Sequence, residues 1–445
     1  MNIDILINKR PIGTLMHDPL LNRFSFNYSD EWLTREDRFA LCPQIPLSPL
    51  EMETPENHSA AVRRFFENLL PEGQALDDAA AAHQVSKSNL AAMLIALGRE
   101  TAGAISIKTD QQNLPDQDQL RPLPISEISE RIRHRPHRPF SVWDGKVRLS
   151  IAGYQDKIAA YRNDNGDWFL VEGPNYASTY ILKPEPVADP MRGMTSNEFF
   201  CMRLAAQIKL PAAQVELLHV PEPVLVIKRF DRKLTVNGVE RLHIIDGCQA
   251  LGLPVSYKYE RIYGNNPDVQ HARNGASLPK LFDLVDRETP TPADQRLRLL
   301  RWTIFQILIG NTDAHAKNLS LFSTAAGLVL SPAYDLVCGM AFQNEKIDKT
   351  YAMAIGDAFS ADQLSPFEWA IFATECKLPL KLVSKELERM SNLVLKVMEE
   401  VMREALHDGA ERDHLVLVAA TIRAECQRQL MYAPEIRKIS PALLG

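Results

Sequence analysis

The segment from Thr291 to Asp335 constrains the fold more than any other part of this 445-residue chain. Thr291-Pro-Ala-Asp294 reads as a helix start. Thr291 is placed as N-cap, Pro292 takes the first helical position, and Asp294 meets the positive end of the helix dipole. Apolar residues continue through Leu297, Leu300, Trp302, Ile304 and Phe305 to Ile309, and Gly310 ends the run. They wrap more than one face, which predicts a buried central helix. A polar loop leads on to Asn318. Then Leu319-Ser-Leu-Phe-Ser323, Thr-Ala-Ala-Gly327 and Leu328-Val-Leu330 alternate around a glycine-containing turn and predict a β-hairpin. The hairpin would return the chain, at Ala-Tyr-Asp335, beside Asn318, with the loop held on a rigid support.

That loop carries chemistry. In Asp313-Ala-His-Ala-Lys-Asn318 the acid and the amide stand in a D-x-x-x-x-N arrangement, the spacing within the catalytic loop of protein kinases. There the Asp accepts the proton of the substrate hydroxyl and the Asn helps hold metal. Asn318 and Asp335 together would form a hard oxygen site suited to Mg²⁺ bridging nucleotide phosphates. The plainer reading is that Asp313 and Asn318 only turn a loop by bonding nearby backbone.

Upstream segments weigh against the plainer reading. Arg148-Leu-Ser-Ile-Ala-Gly-Tyr-Gln-Asp-Lys157 runs as a strand, a small-residue turn at Ala152-Gly153, and a second strand to Arg162. Glycine lets backbone approach phosphate oxygens, and Lys157 adds charge. With a single Gly, the segment is neither a P-loop nor the G-x-G-x-x-G of kinases. Ser178-Thr-Tyr-Ile-Leu-Lys183-Pro184 reads as a strand offering Lys183 to phosphates, although a lone Lys at a strand end is most often solvated. Asn197 to Ile208 has helical spacing, with Glu198 either orienting Lys183 or simply exposed in the first turn. Val224-Leu-Val-Ile227 then runs as a strand into a hinge at Lys228-Arg-Phe-Asp231. Loop, Lys strand, helix, hinge, catalytic loop and metal Asp succeed one another in the order of a bilobal kinase.

These residues closely resemble the HipA-type toxin kinases of bacterial type II toxin–antitoxin systems. The resemblance is carried by Asn68-Leu-Leu-Pro71, Leu97-Gly-Arg99 with Gly103-Ala104, Ser150 to Lys157, Ile181-Leu-Lys183, Lys228-Arg-Phe-Asp-Arg232, Cys248-Gln-Ala-Leu-Gly252 with Lys258-Tyr-Glu260, and Gly310 to Asn318 with Tyr334-Asp335. It implies a cytoplasmic serine/threonine protein kinase paired with a HipB-like helix-turn-helix antitoxin, which would contact operator DNA on its behalf. By position, Asp313 would be the catalytic base, and Asn318 and Asp335 the metal ligands. ATP would be held by Ile151, Ala152, Gly153, Tyr154, Gln155, Asp156 and Lys157, with Lys183 and His315, while backbone at Lys228, Arg229 and Phe230 faces the adenine. Ser150 matches the autophosphorylated serine whose modification switches such kinases off. An aminoacyl-tRNA synthetase such as glutamyl-tRNA synthetase is the protein substrate the family suggests. The chain departs from the family at Lys228, where an acidic residue is usual, and at His243-Ile-Ile-Asp246, where His-Gln-Glu-Asp is usual.

Composition bounds the rest. With 45% hydrophobic residues, the chain can bury one large core or two to three modest ones. A net charge of −6 argues against broad nucleic-acid binding by the chain itself. Six scattered cysteines without a C-x-x-C pair point to reduced thiols rather than a disulfide frame or zinc site. No signal peptide or membrane-length apolar run is visible, and cytoplasm is the expectation. Strands are expected over Asn2 to Leu15 and Arg23 to Tyr28, and helices over Ala60 to Leu70, Ser88 to Leu97, Leu382 to Leu406 and His414 to Gln429. Thr109 to Pro124 reads as a linker. The run Arg131-Ile-Arg-His-Arg-Pro-His-Arg138, with His134 and His137, reads either as a phosphate or acidic-partner contact or as a solvated charged stretch.

The fold class is therefore α+β: a bilobal protein-kinase-like fold with an extra N-terminal β-rich subdomain and an all-helical C-terminal lobe. Its expected parts are 1–108 as that subdomain, 109–140 as linker and basic loop, 141–232 as the ATP-binding lobe, and 233–445 as a helical lobe with the catalytic loop. Two other functions stay open. One is a small-molecule kinase of the aminoglycoside type, which shares the Asp, Asn and metal-Asp logic. The other is a catalytically weak co-repressor of a DNA-binding partner.

Overall fold

The computed structural model describes residues 1–48, 53–98, 100–109, 117–135, 137–144, 146–147, 155–187 and 189–444. Arg99, Ser150 and the stretch Ile151 to Tyr154 lie outside the described residues. The chain forms an α+β protein of two compact units, each discontinuous in sequence where linear boundaries were expected. One comprises Met1–Val187, Leu218–Val255 and Leu321–Val329. The other comprises Ala188–Leu217, Ser256–Ser320 and Leu330–Gly445.

The first unit holds the two largest antiparallel sheets, and the part expected to be all-helical also carries short strands at Arg232–Thr235, Gly238–Arg241, Ile244–Asp246, Ser320–Thr324 and Gly327–Leu330. Asn2–Ile7, Arg10–Asp18, Arg23–Tyr28 and Ile105–Lys108 make the amino-terminal sheet, with the first strand paired to both the second and the fourth. The strand expected over Asn2 to Leu15 is thus two strands. Asn8 and Lys9 both take positive φ, 47° and 71°, as a two-residue hairpin turn demands. Ile3, Ile5 and Ile7 alternate inward. The helix Pro55–Glu67 is capped by the Thr54 hydroxyl and buries Val62, Phe65 and Phe66, each contributing roughly 1.5–3 kcal/mol on removal from water.

The second sheet runs in the order Val215–His219, Pro223–Lys228, Tyr180–Pro184, Ile158–Arg162, Trp168–Glu172, Gln119–Pro122. Ile158, Ala160, Leu170, Leu182, Val224 and Val226 share one core with Ile128 and Ile132 of the helix Ile125–Arg133. Part of the expected linker is therefore framework: Gln119–Pro122 is an edge strand, and the helix after it seals the sheet. Its apolar residues are few and lie between charges, which hides the period in the sequence.

The basic run is likewise internal in part. Arg131 is only 5% exposed; its guanidinium donates to the Pro139 and Val142 carbonyls and lies 4.9 Å from the Trp143 ring centroid. Arg135 donates to the Glu185 carbonyl at 2.7 Å, and its guanidinium is 3.6 Å from the Asp156 carboxylate. Of the two sequence readings, neither describes these two arginines, which are anchors.

The second unit is built on the helix Pro292–Leu308, buried on nearly every side from Leu299 to Leu308. Around it pack Leu278–Glu288, Leu380–His407 and Arg412–Ile436, and the last two lie along each other. Thr291 occupies the N-cap position, but its hydroxyl makes no capping bond. Met194–Gln207 begins earlier than the sequence suggested, after Gly193 in the left-handed region. All six cysteines are buried thiols outside any disulfide. Among the described residues, no helix is long and apolar enough to cross a membrane.

Candidate active site

In the second unit the helix Pro292–Leu308 hands over to the polar loop through Gly310, which takes φ of +63°. Asn311 organises that loop. Its Oδ1 accepts from the Asp313 backbone N–H at 2.9 Å, and its Nδ2 donates to Gln306 Oε1 at 2.8 Å and to the Asp335 carbonyl at 3.3 Å. One buried carboxamide thus ties the backbones of Asp313 and Asp335 together. Asp335 itself adopts φ of +53°, a conformation that costs a non-glycine residue energy and that its surroundings must enforce. Asn318 closes the loop from the other end, its Nδ2 donating to the Asp313 carbonyl at 2.8 Å.

The Asp313 carboxylate is left outward, with 62% of its side chain exposed. Its Oδ1 accepts from the Tyr259 hydroxyl at 2.6 Å. His315 lies beneath, with its ring edge-on to Tyr259 at a centroid distance of 5.1 Å. Burial, reinforced by Lys258 and only partly opposed by Asp335, holds the His315 imidazole down to about 3, so it is neutral. Its 3.8 Å approach to Asp313 is therefore not an ion pair. The loop is tied below by Tyr334, whose hydroxyl donates to the Lys317 carbonyl at 2.8 Å, and by Ala316, whose N–H donates to the Lys258 carbonyl at 3.1 Å. Asp313, His315, Asn318 and Asp335 are brought together; Tyr259, Lys258 and Asn311 were missed as site residues. They stand in the Lys258-Tyr-Glu260 and Gly310-Asn-Thr-Asp313 segments, but neither segment by itself says what its side chains touch.

The residues fit a divalent cation of a particular kind. With the Asn318 nitrogen directed at the Asp313 carbonyl, its carbonyl oxygen is the atom left for a hard cation. Among the described residues, no group of three or more His, Cys, Asp or Glu is placed to hold a metal. One carboxylate and one amide oxygen suit Mg²⁺, which keeps waters and phosphate oxygens, and not a cation needing an all-protein cage.

In the first unit, Lys183 sits mid-sheet and is 5% exposed, which removes the solvated reading. Lys157 is 8% exposed at the start of Ile158–Arg162. Gln155 Nε2 donates to the Pro184 carbonyl at 3.2 Å, and Asp156 faces Arg135, so both side chains brace the loop they belong to. Lys228 is exposed, pairs in register with Tyr180, and ends its strand. In the second unit, Glu198 is 1% exposed, which excludes the exposed first-turn reading.

Arg229 is not a nucleotide-facing side chain. It donates to both Asp231 oxygens at 3.0 and 2.7 Å, to Glu100 at 3.0 Å, to Ser178 at 2.9 Å and to the Thr101 carbonyl at 3.1 Å. Arg232 joins the same cluster through Asp231, Glu100 and the Thr101 and Gly103 carbonyls, and Arg241 reaches Glu100 at 3.4 Å. Despite burial, the arginines hold the Asp231 carboxyl far below the usual range. Burial and the neighbouring Arg229 guanidinium bring Arg232 down to about 10. Only the backbone of Lys228 to Phe230 remains for the adenine reading. The His243-Ile-Ile-Asp246 departure also has a structural role. His243 donates from Nε2 to the Leu41 carbonyl at 3.0 Å and stacks on Phe39, and Asp246 forms a capping box with Gln249.

A buried helix delivering an Asp–Asn loop and a returning Asp, with a buried Lys on a separate β-sheet, is the residue set of a protein-kinase-like phosphotransferase. Residues 149–405 match the HipA-like C-terminal domain, and residues 3–108 match the HipA N-terminal domain. The serine/threonine-protein kinase toxin HipA of Shewanella oneidensis is 34% identical over 447 residues, covering 99% of this chain and 98% of that protein. A putative kinase of Sinorhizobium fredii, Y4mE, is 35% identical, covering 85% and 86%. The solved complex of the Shewanella oneidensis MR-1 toxin–antitoxin proteins HipA and HipB with operator DNA superposes with a TM-score of 0.84 at 32% identity, covering 98% of this chain and 100% of that one. The chain belongs to the HipA family of serine/threonine-protein kinase toxins.

Proposed function

We propose that the chain transfers the γ-phosphoryl group of ATP to a serine or threonine hydroxyl of a cellular protein, and that this transfer arrests growth. The observation that carries the reading is the Asn311 side chain, shared between the Asp313 N–H and the Asp335 carbonyl, with Asn318 bonded to the same Asp313. Base, amide and carboxylate stand on one framework that costs no reorganisation at the moment of reaction. Asp313 orients the acceptor hydroxyl and takes its proton; its exposure suits a protein substrate arriving from solvent. Asn318 and Asp335 hold Mg²⁺, which when bound offsets charge on the phosphates. Lys183, Lys157 and the backbone from Ile151 to Lys157 bind phosphates, His315 stays neutral near the nucleotide, and backbone at Lys228 to Phe230 receives the adenine. Ser150 is the self-phosphorylated residue that turns the enzyme off, and a HipB-like helix-turn-helix protein neutralises it and carries it to operator DNA. An aminoacyl-tRNA synthetase is the substrate class.

The test is label transfer from radiolabelled ATP by the full chain. Asp335→Asn is expected to abolish transfer with an unchanged unfolding midpoint, and intact-mass spectra of the active protein are expected to show one phosphate at Ser150. Full transfer by Asp335→Asn would remove that residue from the reading.

A further inference from the structure

Asp335 holds φ of +53°, a backbone state that its surroundings must enforce, and the chain just beyond it is gripped by a side chain that the kinase reading does not use. Asn197 lies within the helix Met194–Gln207 and is 0% exposed. Asn lowers helix propensity, and a buried carboxamide needs its polar atoms met. Both of its polar atoms are met twice. Asn197 Oδ1 accepts from the Cys338 N–H at 2.8 Å and from the Cys201 thiol at 3.6 Å. Its Nδ2 donates to the Cys338 carbonyl at 3.1 Å and to His414 Nε2 at 3.2 Å.

Two of those four bonds go to one residue, and that residue stands three beyond Asp335. The Cys338 backbone offers one donor and one acceptor, and a carboxamide supplies the matching pair where a carboxylate or an aliphatic side chain of the same size does not. Three residues span at most about 10 Å, and Leu336 between the two is fully buried, so the link from Cys338 to Asp335 has little slack. The residues after Cys338 press onto the Asp313 loop. The Met340 N–H donates to the Gly310 carbonyl at 3.1 Å, and a Cβ added at Gly339 would collide with Thr312 Oγ1. Lys349 Nζ donates to the Gly339 and Met340 carbonyls at 3.0 and 3.1 Å. The stretch that follows Asp335 is thus pinned both to the Asp313 loop and, through Asn197, to a separate helix.

We propose that Asn197 is a positioning residue for the metal site. By bracketing the Cys338 backbone it sets where the Asp335 carboxylate stands, and so governs the affinity for Mg²⁺ together with nucleotide, not the affinity for nucleotide alone. This rests on the reading of Asp335 as a magnesium ligand. Removing a group that orients a metal ligand typically costs about tenfold to a hundredfold in metal affinity. A carboxamide that only joined helix to loop would change stability and leave that affinity where it was.

The experiment measures binding of a fluorescent, non-hydrolysable ATP analogue to the full chain, in EDTA and across a MgCl₂ series. The gain in affinity brought by Mg²⁺ is then read apart from affinity without it. Asn197→Leu removes all four bonds at similar volume and is expected to cut that gain by about tenfold or more, with affinity in EDTA unchanged. Asn197→Asp keeps an oxygen for the Cys338 N–H but loses both donations. It is expected to fall between, and it carries the test if the leucine variant does not fold. Ser196→Ala, on the same helical turn, removes the acceptor of the Glu411 N–H, a 2.8 Å bond that does not involve Cys338. It is expected to lower the unfolding midpoint and keep the gain. A gain unchanged in the Asn197 variants, an equal loss of affinity with and without Mg²⁺, or an equal loss of gain in Ser196→Ala would each overturn the proposal. Asp335→Asn separates the two readings. A gain absent from the wild-type chain or kept by Asp335→Asn overturns the metal reading and this proposal with it. A gain that Asp335→Asn loses and both Asn197 variants keep overturns this proposal alone.

Discussion

Two short charged motifs, Arg229-Phe-Asp-Arg232 and Asp313-Ala-His-Ala-Lys-Asn318, look alike in sequence and do opposite things in the structure. In the first, both arginines have side chains only 1% exposed and Asp231 6%, and the charges face one another and backbone carbonyls. The cluster joins the chain near Thr101 and Gly103 to the end of the strand Pro223–Lys228, and its chemistry is used up in holding that junction. In the second, the backbone is locked just as firmly by Asn311, Asn318 and Tyr334, but the Asp313 carboxylate is 62% exposed. The difference teaches that the fixed element matters. A charge whose partners are all protein groups is structural, and a charge held on a fixed backbone with its oxygens outward is available for reaction.

The contrast can be broken most sharply at Asp313. Asp313→Asn is expected to cut phosphoryl transfer by roughly a hundredfold to ten-thousandfold, the range for a general base, with no change in unfolding free energy. Loss of fold in this variant would erase the distinction between the two motifs. Asp231→Asn is the mirror case. It removes the charge of one of the two carboxylates that Arg229 and Arg232 share, and denaturant unfolding is expected to show a loss of roughly 3–5 kcal/mol. A loss within experimental error of zero would show that the cluster is not what holds the junction.

The next effect is a pH dependence. His243 sits at about 4 in the folded chain against an ordinary value of 6.5, chiefly through burial. Between those values the unfolded chain binds the proton and the folded chain does not. Stability from this group is therefore complete above pH 6.5 and falls as pH drops toward 4, by on the order of 3 kcal/mol. His243→Gln can donate the same bond to Leu41 without titrating, so its unfolding free energy should fall less over that window. An equal slope in the two proteins would assign the acid sensitivity elsewhere. The smallest effect is expected at Tyr259, since its partner is largely exposed. Tyr259→Phe should lower kcat by about threefold to tenfold. It should also move the acid limb of the rate profile upward, because the Asp313 carboxylate loses a donor that favours its charged form. A purely structural tyrosine would leave that limb in place.

Much of the candidate site was readable because its elements are local. The helix before the loop announced itself by Pro292 and by apolar residues on more than one face, and the hairpin by alternation around Gly327; both are found, as Pro292–Leu308 and Ser320–Thr324 with Gly327–Leu330. What escaped was anything set by a distant partner. The side-chain partners of Arg229 went unread because nothing nearby in sequence reveals Glu100, 129 residues away. Arg131 and Arg135 read as surface charge because the Trp143 ring and the Glu185 carbonyl reach them only after folding. The helix Ile125–Arg133 was taken as linker because its core contacts lie on strands that come later in the chain.

The sequence by itself determined the family and the α+β class and singled out Asp313, Asn318 and Asp335 as a candidate set, because spacing and order along a chain are one-dimensional properties. Only the tertiary structure decided which charged side chains are closed off and which are presented. That choice depends on desolvation, and desolvation is a property of the three-dimensional surroundings: the same carboxylate is a buried brace at Asp231 and an outward acceptor at Asp313.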